Sequence, residues 1–220
     1  MADYREKFWR LRLEACRKAL ERNHFAAWVV PSVREARDLF REQILPNLTP
    51  APRTASWGDS QTLHATGILD EIRRNPEIEL IETFDPAVPR ETLIERRRQA
   101  LLVDLFLTGS SAVTEAGQLV NLDMIGNRIG GITFGPRHVV LFIGRNKLTG
   151  NIEEAMRRIK QVSAPLNAMR HEGFKLPCAA TGRCMDCDSP QRICNTWSIT
   201  EKSYPKGRIR VILINEDHGL

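Results

Sequence analysis

An α/β domain is the fold the sequence predicts, and three observations predict it. Helical and strand-like segments alternate along the chain. The strand-like segments include short, unbroken apolar runs, the pattern of strands buried on both faces. Prolines, glycines and small polar residues punctuate the boundaries, with no repeat and no low-complexity linker, so residues 1–220 read as one domain.

The elements follow in order. MADYREKFWRLRLEACRKALERN sets Phe8, Leu11, Ala15 and Leu20 at helical spacing with charges between them. It lacks the apolar core and small-residue cleavage site of a signal peptide. Residues 25–30 (FAAWVV) are an apolar run ended by Pro31, hence a buried strand; Ser32 caps a helix over 33–44, which Pro46 and Pro50 close. A strand at 54–57 enters the turn Gly58-Asp59-Ser60 and a helix to about Arg74. Residues 79–83 read as a strand, 89–101 as a helix opened by Pro89, and 103–108 (VDLFLT) as a central strand. Residues 110–121 alternate about a Glu-Ala-Gly turn and predict a hairpin. A strand at 138–143 (HVVLFI), a long helix over 151–169, a thiol-bearing loop at 177–195 and strands at 197–201 and 208–215 complete the chain.

Composition narrows the classes. The chain is 42% hydrophobic and 27% charged, which supports a real core without disulfides. Its net charge of +5 is spread along the sequence, and the run Arg96-Arg97-Arg98 sits with Glu91 and Glu95 as a solvated helix face. Without a basic stripe interleaved with aromatics, no nucleic-acid partner is expected. No apolar stretch is long enough to span a bilayer, so a cytoplasmic protein is expected.

Four of the five cysteines fall within one loop as Cys178-x5-Cys184-x2-Cys187-x6-Cys194. A C-x-x-C pair brings two thiolates to one centre from a single turn, and two flanking cysteines complete a tetrahedral set. Arg183 and Arg192 stand ready to balance thiolate charge. The set suits an iron–sulfur cluster or zinc, and spacing does not choose between them. A redox-active pair at Cys184 and Cys187, or unmetallated packing, are the other readings. Cys16, alone on the first helix, reads as core.

Two polar rims are candidates for a ligand. One follows the strand at 54–57 and includes Trp57, Gly58, Ser60 and Thr62, with His64 read as a surface or cap residue. The other runs from Glu115 through Asn121, Asp123, Asn127 and Arg128 into GNRIGGITFG. Loops at strand carboxyl ends commonly form the crevice of an open α/β sheet. Gly126, Gly130, Gly131 and Gly135 match neither a dinucleotide fingerprint nor a phosphate loop. They either cradle an anion or let a helix pack closely on the sheet.

Three motifs in order, SWGDSQTL (56–63), TGSSAVTEAGQLVNLDMIGNRIGGITFGP (108–136) and PCAATGRCMDCDSPQRICN (177–195), resemble the LUD-domain family, which includes lactate-utilisation protein C. The likeness covers nearly the whole chain. It implies a NagB/RpiA/CoA-transferase-like fold: a mixed, mostly parallel sheet flanked by helices, here with a C-terminal cysteine-bearing loop. The loop is similar to that of stand-alone bacterial members, and shorter relatives often lack it, which implies a loop separable from the pocket. In CoA transferases the glutamate of a similar Glu-x-Gly turn forms a thioester; Glu115-Ala116-Gly117 falls in a like place, though Thr114 stands where those enzymes carry serine. Asp59 replaces a glycine usual in the first motif, and its carboxylate opposes phosphate binding there.

The resemblance implies an accessory or electron-transfer subunit in the oxidation of L-lactate to pyruvate, working with iron–sulfur or other redox subunits. A [4Fe–4S] cluster, or alternatively zinc, would sit on Cys178, Cys184, Cys187 and Cys194. A small carboxylate or phosphate-bearing ligand would sit among Trp57, Ser60, Thr62, Asn121, Asp123, Asn127, Arg128, Gly130 and Gly131, with Glu115 as the candidate catalytic residue. A ligand-binding module with structural zinc, or acyl transfer through Glu115, are the alternatives. No flavin or nicotinamide motif is visible, so the electron acceptor would come from a partner or the thiol-held centre.

Overall fold

The computed structural model describes residues 4–171 and 173–220, so the first three residues of the N-terminal stretch lie outside the described residues. Helix α1 (Tyr4–Arg22) leads into β1 (Ala26–Val30), and α2 (Val33–Leu39) follows, capped by Ser32. Next come β2 (Thr54–Trp57), α3 (Gln61–Thr66), α4 (Ile68–Arg74), β3 (Glu79–Ile81), α5 (Arg90–Gln99) and β4 (Leu105–Thr108). The hairpin β5 (Ala112–Thr114) and β6 (Leu119–Asp123) precedes α6 (Asn127–Thr133) and β7 (His138–Gly144). The chain closes with β8 (Leu148–Thr149), α7 (Ile152–Arg158), α8 (Ala164–Met169), α9 (Pro177–Thr181), β9 (Thr196–Thr200) and β10 (Ile209–Ile214).

Six strands form an all-parallel sheet in the order β1-β10-β7-β4-β2-β3. Period-two alternation gives each central strand two apolar faces. Leu105, Leu107, Val140, Phe142 and Ile212 pack under α2, α3 and α4 with Phe40, Leu63 and Ile72. Phe106, Val139, Leu141, Val211 and Leu213 pack under α1 and α6 with Leu13, Leu20 and Ile132. The strands β4 and β7 are therefore buried on both sides, whereas β1, expected to be a buried strand, lies at the sheet edge and is only partly buried. A second sheet, β8-β5-β6-β9, stands apart, with β5–β6 and β6–β9 antiparallel.

Several expectations shift locally, each for a physical reason. The helix expected over 151–169 is α7, a π-helical turn (Ile159–Ser163) and α8, because Pro165 lacks the N–H that would continue the ladder. The helix expected to Arg74 breaks at Gly67, whose left-handed backbone ends α3 and starts α4. The strand expected to 83 stops at Ile81, as Thr83 turns its hydroxyl onto the Trp57 carbonyl at 2.9 Å. Among the described residues no helix is long and apolar enough to cross a membrane.

Candidate functional site

A cavity of about 460 Å³ opens at the carboxyl ends of β2 and β4, roofed by α5, α8 and the thiol loop. Ser60, Asp123, Asn127 and Arg128 line it, joining residues from both sequence-predicted rims. Asp123 organises the inner wall. Its Oδ1 accepts from Arg128 Nε at 2.9 Å and Nη2 at 2.7 Å, while Oδ2 accepts from the Ile129 N–H at 2.9 Å. One carboxylate thus starts α6 and fixes the guanidinium that α6 carries into the cavity. Arg128 Nη2 also donates to Ser111 Oγ at 2.9 Å.

The other predicted residues support this wall without lining it. Asn121 lies beneath, accepting from the Ser111 N–H at 3.0 Å and Ser110 Oγ at 3.2 Å. Thr62 sits under Lys147, and Trp57 backs Phe84 at 4.7 Å between ring centroids while donating to Glu82 at 3.0 Å. Gly130 and Gly131 are packing positions: a Cβ on Gly131 would lie 2.7 Å from Phe106 Cε1, and one on Gly130 would meet Leu101 at 3.2 Å. Glu115 is outside the cavity lining, and Arg12 of α1 holds its carboxylate through two bonds of 2.8 and 2.6 Å. Its turn is pinned there, since Gly117 abuts the backbone of Ala19 and Leu20.

The cavity carries more cation than the sequence reading assigned it. Arg90, Arg97, Arg128, Lys147 and Arg170 line it against Asp59 and Asp123. Arg128 pairs with Asp123 and Arg170 with Asp59. Arg97, expected on a solvated helix face, instead lies over Phe84 at 4.6 Å, and its buried Nε has no hydrogen-bond partner. Burial lowers its pKa, with Asp59 opposing that shift. Lys147 is missed altogether by sequence reasoning. It follows the apolar run of β7 in a polar turn, a strand carboxyl end, which is the available signal.

All four loop cysteines are free and line one small hollow with Arg192 and Ile193. Arg192 donates to the carbonyls of Cys187 and Cys194, each at 3.0 Å, and so braces the loop. Burial first, and the neighbouring thiols next, raise the pKa of Cys178. A cationic centre at this hollow would relieve that repulsion. Among the described residues no three His, Cys, Asp or Glu donors stand close enough to share one ion. Cys194, Ile193 and Ala164 line both this hollow and the large cavity, so the loop is not separable from the pocket. Leu176, Ile193 and Ala168 anchor it in a small core of its own. Cys16 is wholly buried, and burial pushes its thiol up to about 12, as a core residue.

The LUD-domain family model matches residues 13–214. The chain belongs to the LUD-domain family. That family is linked to lactate utilisation. A DUF162 family protein from Deinococcus radiodurans shares the fold at 12% identity, with a TM-score of 0.51 over 94% of this chain and 98% of that one. No curated protein matches the chain. In this chain the cysteine loop lies between α8 and β9, where it closes one side of the cavity.

Proposed function

We propose that this LUD domain is an electron-transfer or accessory subunit in the oxidation of L-lactate to pyruvate. The observation that carries the reading is the shared wall: Cys194 borders both the four-thiol hollow and the cationic cavity. A substrate carboxylate held against Arg128 would share the cavity that Cys194 borders. Oxidising the alcohol to a ketone releases two electrons and two protons. Cys178, Cys184, Cys187 and Cys194 would hold an iron–sulfur cluster that supplies one-electron transfer, so a redox partner subunit would have to accept both electrons in two single steps while the two protons leave to solvent.

The chain's own residues have definable tasks. Arg128 spends Nε and Nη2 on Asp123, Ser111 and the Leu122 carbonyl, which leaves Nη1 as the charged donor for a carboxylate. Phe84, Leu122 and Phe174 give apolar walls that strengthen that contact by excluding water. One tetrahedral zinc would draw its four sulfurs to within roughly 4 Å of each other. A cluster with an iron at each thiolate accepts a wider set.

Anaerobic purification followed by iron, sulfide and zinc assays tests the reading. It predicts a brown protein with about four irons and four sulfides per chain. A colourless protein with one zinc per chain retires the redox role and leaves a ligand-binding module with a structural ion.

A further inference from the structure

Lys147 is a buried amine that the preceding reading does not use. It lines the inner end of the cavity with the residue only 5% exposed. Its Nζ donates to Thr62 Oγ1 at 3.1 Å, and Thr62 sends its own proton to the His218 carbonyl at 3.0 Å. Thr62 can therefore only accept from Lys147, which fixes one N–H and leaves the rest of the amine for the cavity. A Cβ on Gly219 would lie 2.9 Å from Nζ, so backbone seals the other side.

Burial and neighbouring cations weigh against an ammonium here. Among the described residues no aspartate or glutamate pairs with Lys147, and Asp123 is already committed to Arg128 and the Ile129 N–H. Arg128 and Arg158 add like charge. Arg158 itself donates to the Asn146 carbonyl at 2.8 Å, Ser163 Oγ at 2.8 Å, the Ser111 carbonyl at 3.2 Å and the Leu220 oxygen at 3.4 Å, and to no aspartate or glutamate among the described residues. Desolvation first, then these two arginines, lower the amine to about 7. A lysine desolvated beside other cations is the environment that activates an amine as a nucleophile.

We infer that Lys147 is a nucleophilic amine that forms an imine with the carbonyl carbon of a 2-oxo acid whose carboxylate lies against Arg128. The neutral Nζ lone pair makes the C–N bond while the carbonyl π pair moves to oxygen. Both amine protons pass to that oxygen, which leaves as water when the C=N bond closes. No oxidant or reductant is needed. The choice of a 2-oxo acid rests on the lactate reading, because pyruvate is its product; the amine's environment does not.

Reductive trapping tests this on the full chain. The protein is incubated with pyruvate and sodium cyanoborohydride, digested, and mapped by mass spectrometry. A single reduced adduct on Lys147, absent from Lys147→Met and Lys147→Arg, is the expected result. No adduct, or one spread over exposed lysines and unchanged in Lys147→Met, overturns it. The wild-type map decides even where a variant folds poorly. Trapping requires no metal, so an adduct on colourless protein retires only the redox reading. Brown protein without an adduct retires only this one.

Discussion

At Lys147 the folded chain holds an amine near 7 that titrates at 10.5 when solvated. Between those values the folded state binds fewer protons than the unfolded state, so stability rises with pH across that window. Below pH 7 the burial of the charge, facing Arg128 and Arg158, weighs fully against folding. Lys147→Met removes that burden. In phosphate-free buffer the variant should be more stable than the parent at pH 6, by on the order of a few kcal/mol. The advantage should shrink steadily towards pH 10. Denaturant midpoints of both proteins at pH 6, 8 and 10 check it; a difference that does not change with pH contradicts it. Arg128, in the same cavity, differs in having a carboxylate partner, Asp123, at 2.7 Å.

Among the elements, α6 shows how packing serves the site. Gly131 lets it approach Phe106, which is buried in β4, and that approach puts Arg128 into the cavity. Gly131→Ala gains helix propensity of about 1 kcal/mol but drives a methyl into an immobile ring, an overpacking that costs roughly 1–3 kcal/mol. Thermal melting should fall by a few degrees, at about 2–4 °C per kcal/mol in a chain of this size. An unchanged or raised midpoint would show that α6 is not held this closely.

Elements with period-two or unbroken apolar patterns were legible before the fold was known, because β4, β7 and β10 bury both faces and admit little else. The thiol set was legible from spacing, and its loop does bring all four thiols to one hollow. Half of the cavity was not legible. Arg97 sits in a run of three arginines, and nothing local separates the one that folds over Phe84 from Arg96 and Arg98. Lys147 is one lysine in a polar turn, and only the closure of α3 and the C-terminal segment over it makes it unusual. Glu115 misled in the opposite direction. Its turn has the expected shape, but α1 packs against it and Arg12 takes the carboxylate, a contact 103 residues away in sequence.

Across the whole molecule, three pieces far apart in sequence meet at one end of the parallel sheet. The main sheet delivers Ser60 and Lys147 from its strand ends, and the second sheet delivers Asp123 from the end of β6. The cysteine loop returns to the same place, tied by the Asn195 N–H to the Asp123 carbonyl at 2.9 Å. Asp123 therefore touches both halves of the proposed unit, its side chain holding Arg128 and its backbone holding the loop. The central claim is that the thiol-held centre and the cationic cavity act as one site through Cys194. Electron paramagnetic resonance of anaerobically prepared, dithionite-reduced protein, recorded with and without added pyruvate, tests it most directly. The account predicts an iron–sulfur signal whose g-values or line shape change when pyruvate is added. A cluster signal indifferent to pyruvate, or no cluster signal at all, contradicts it.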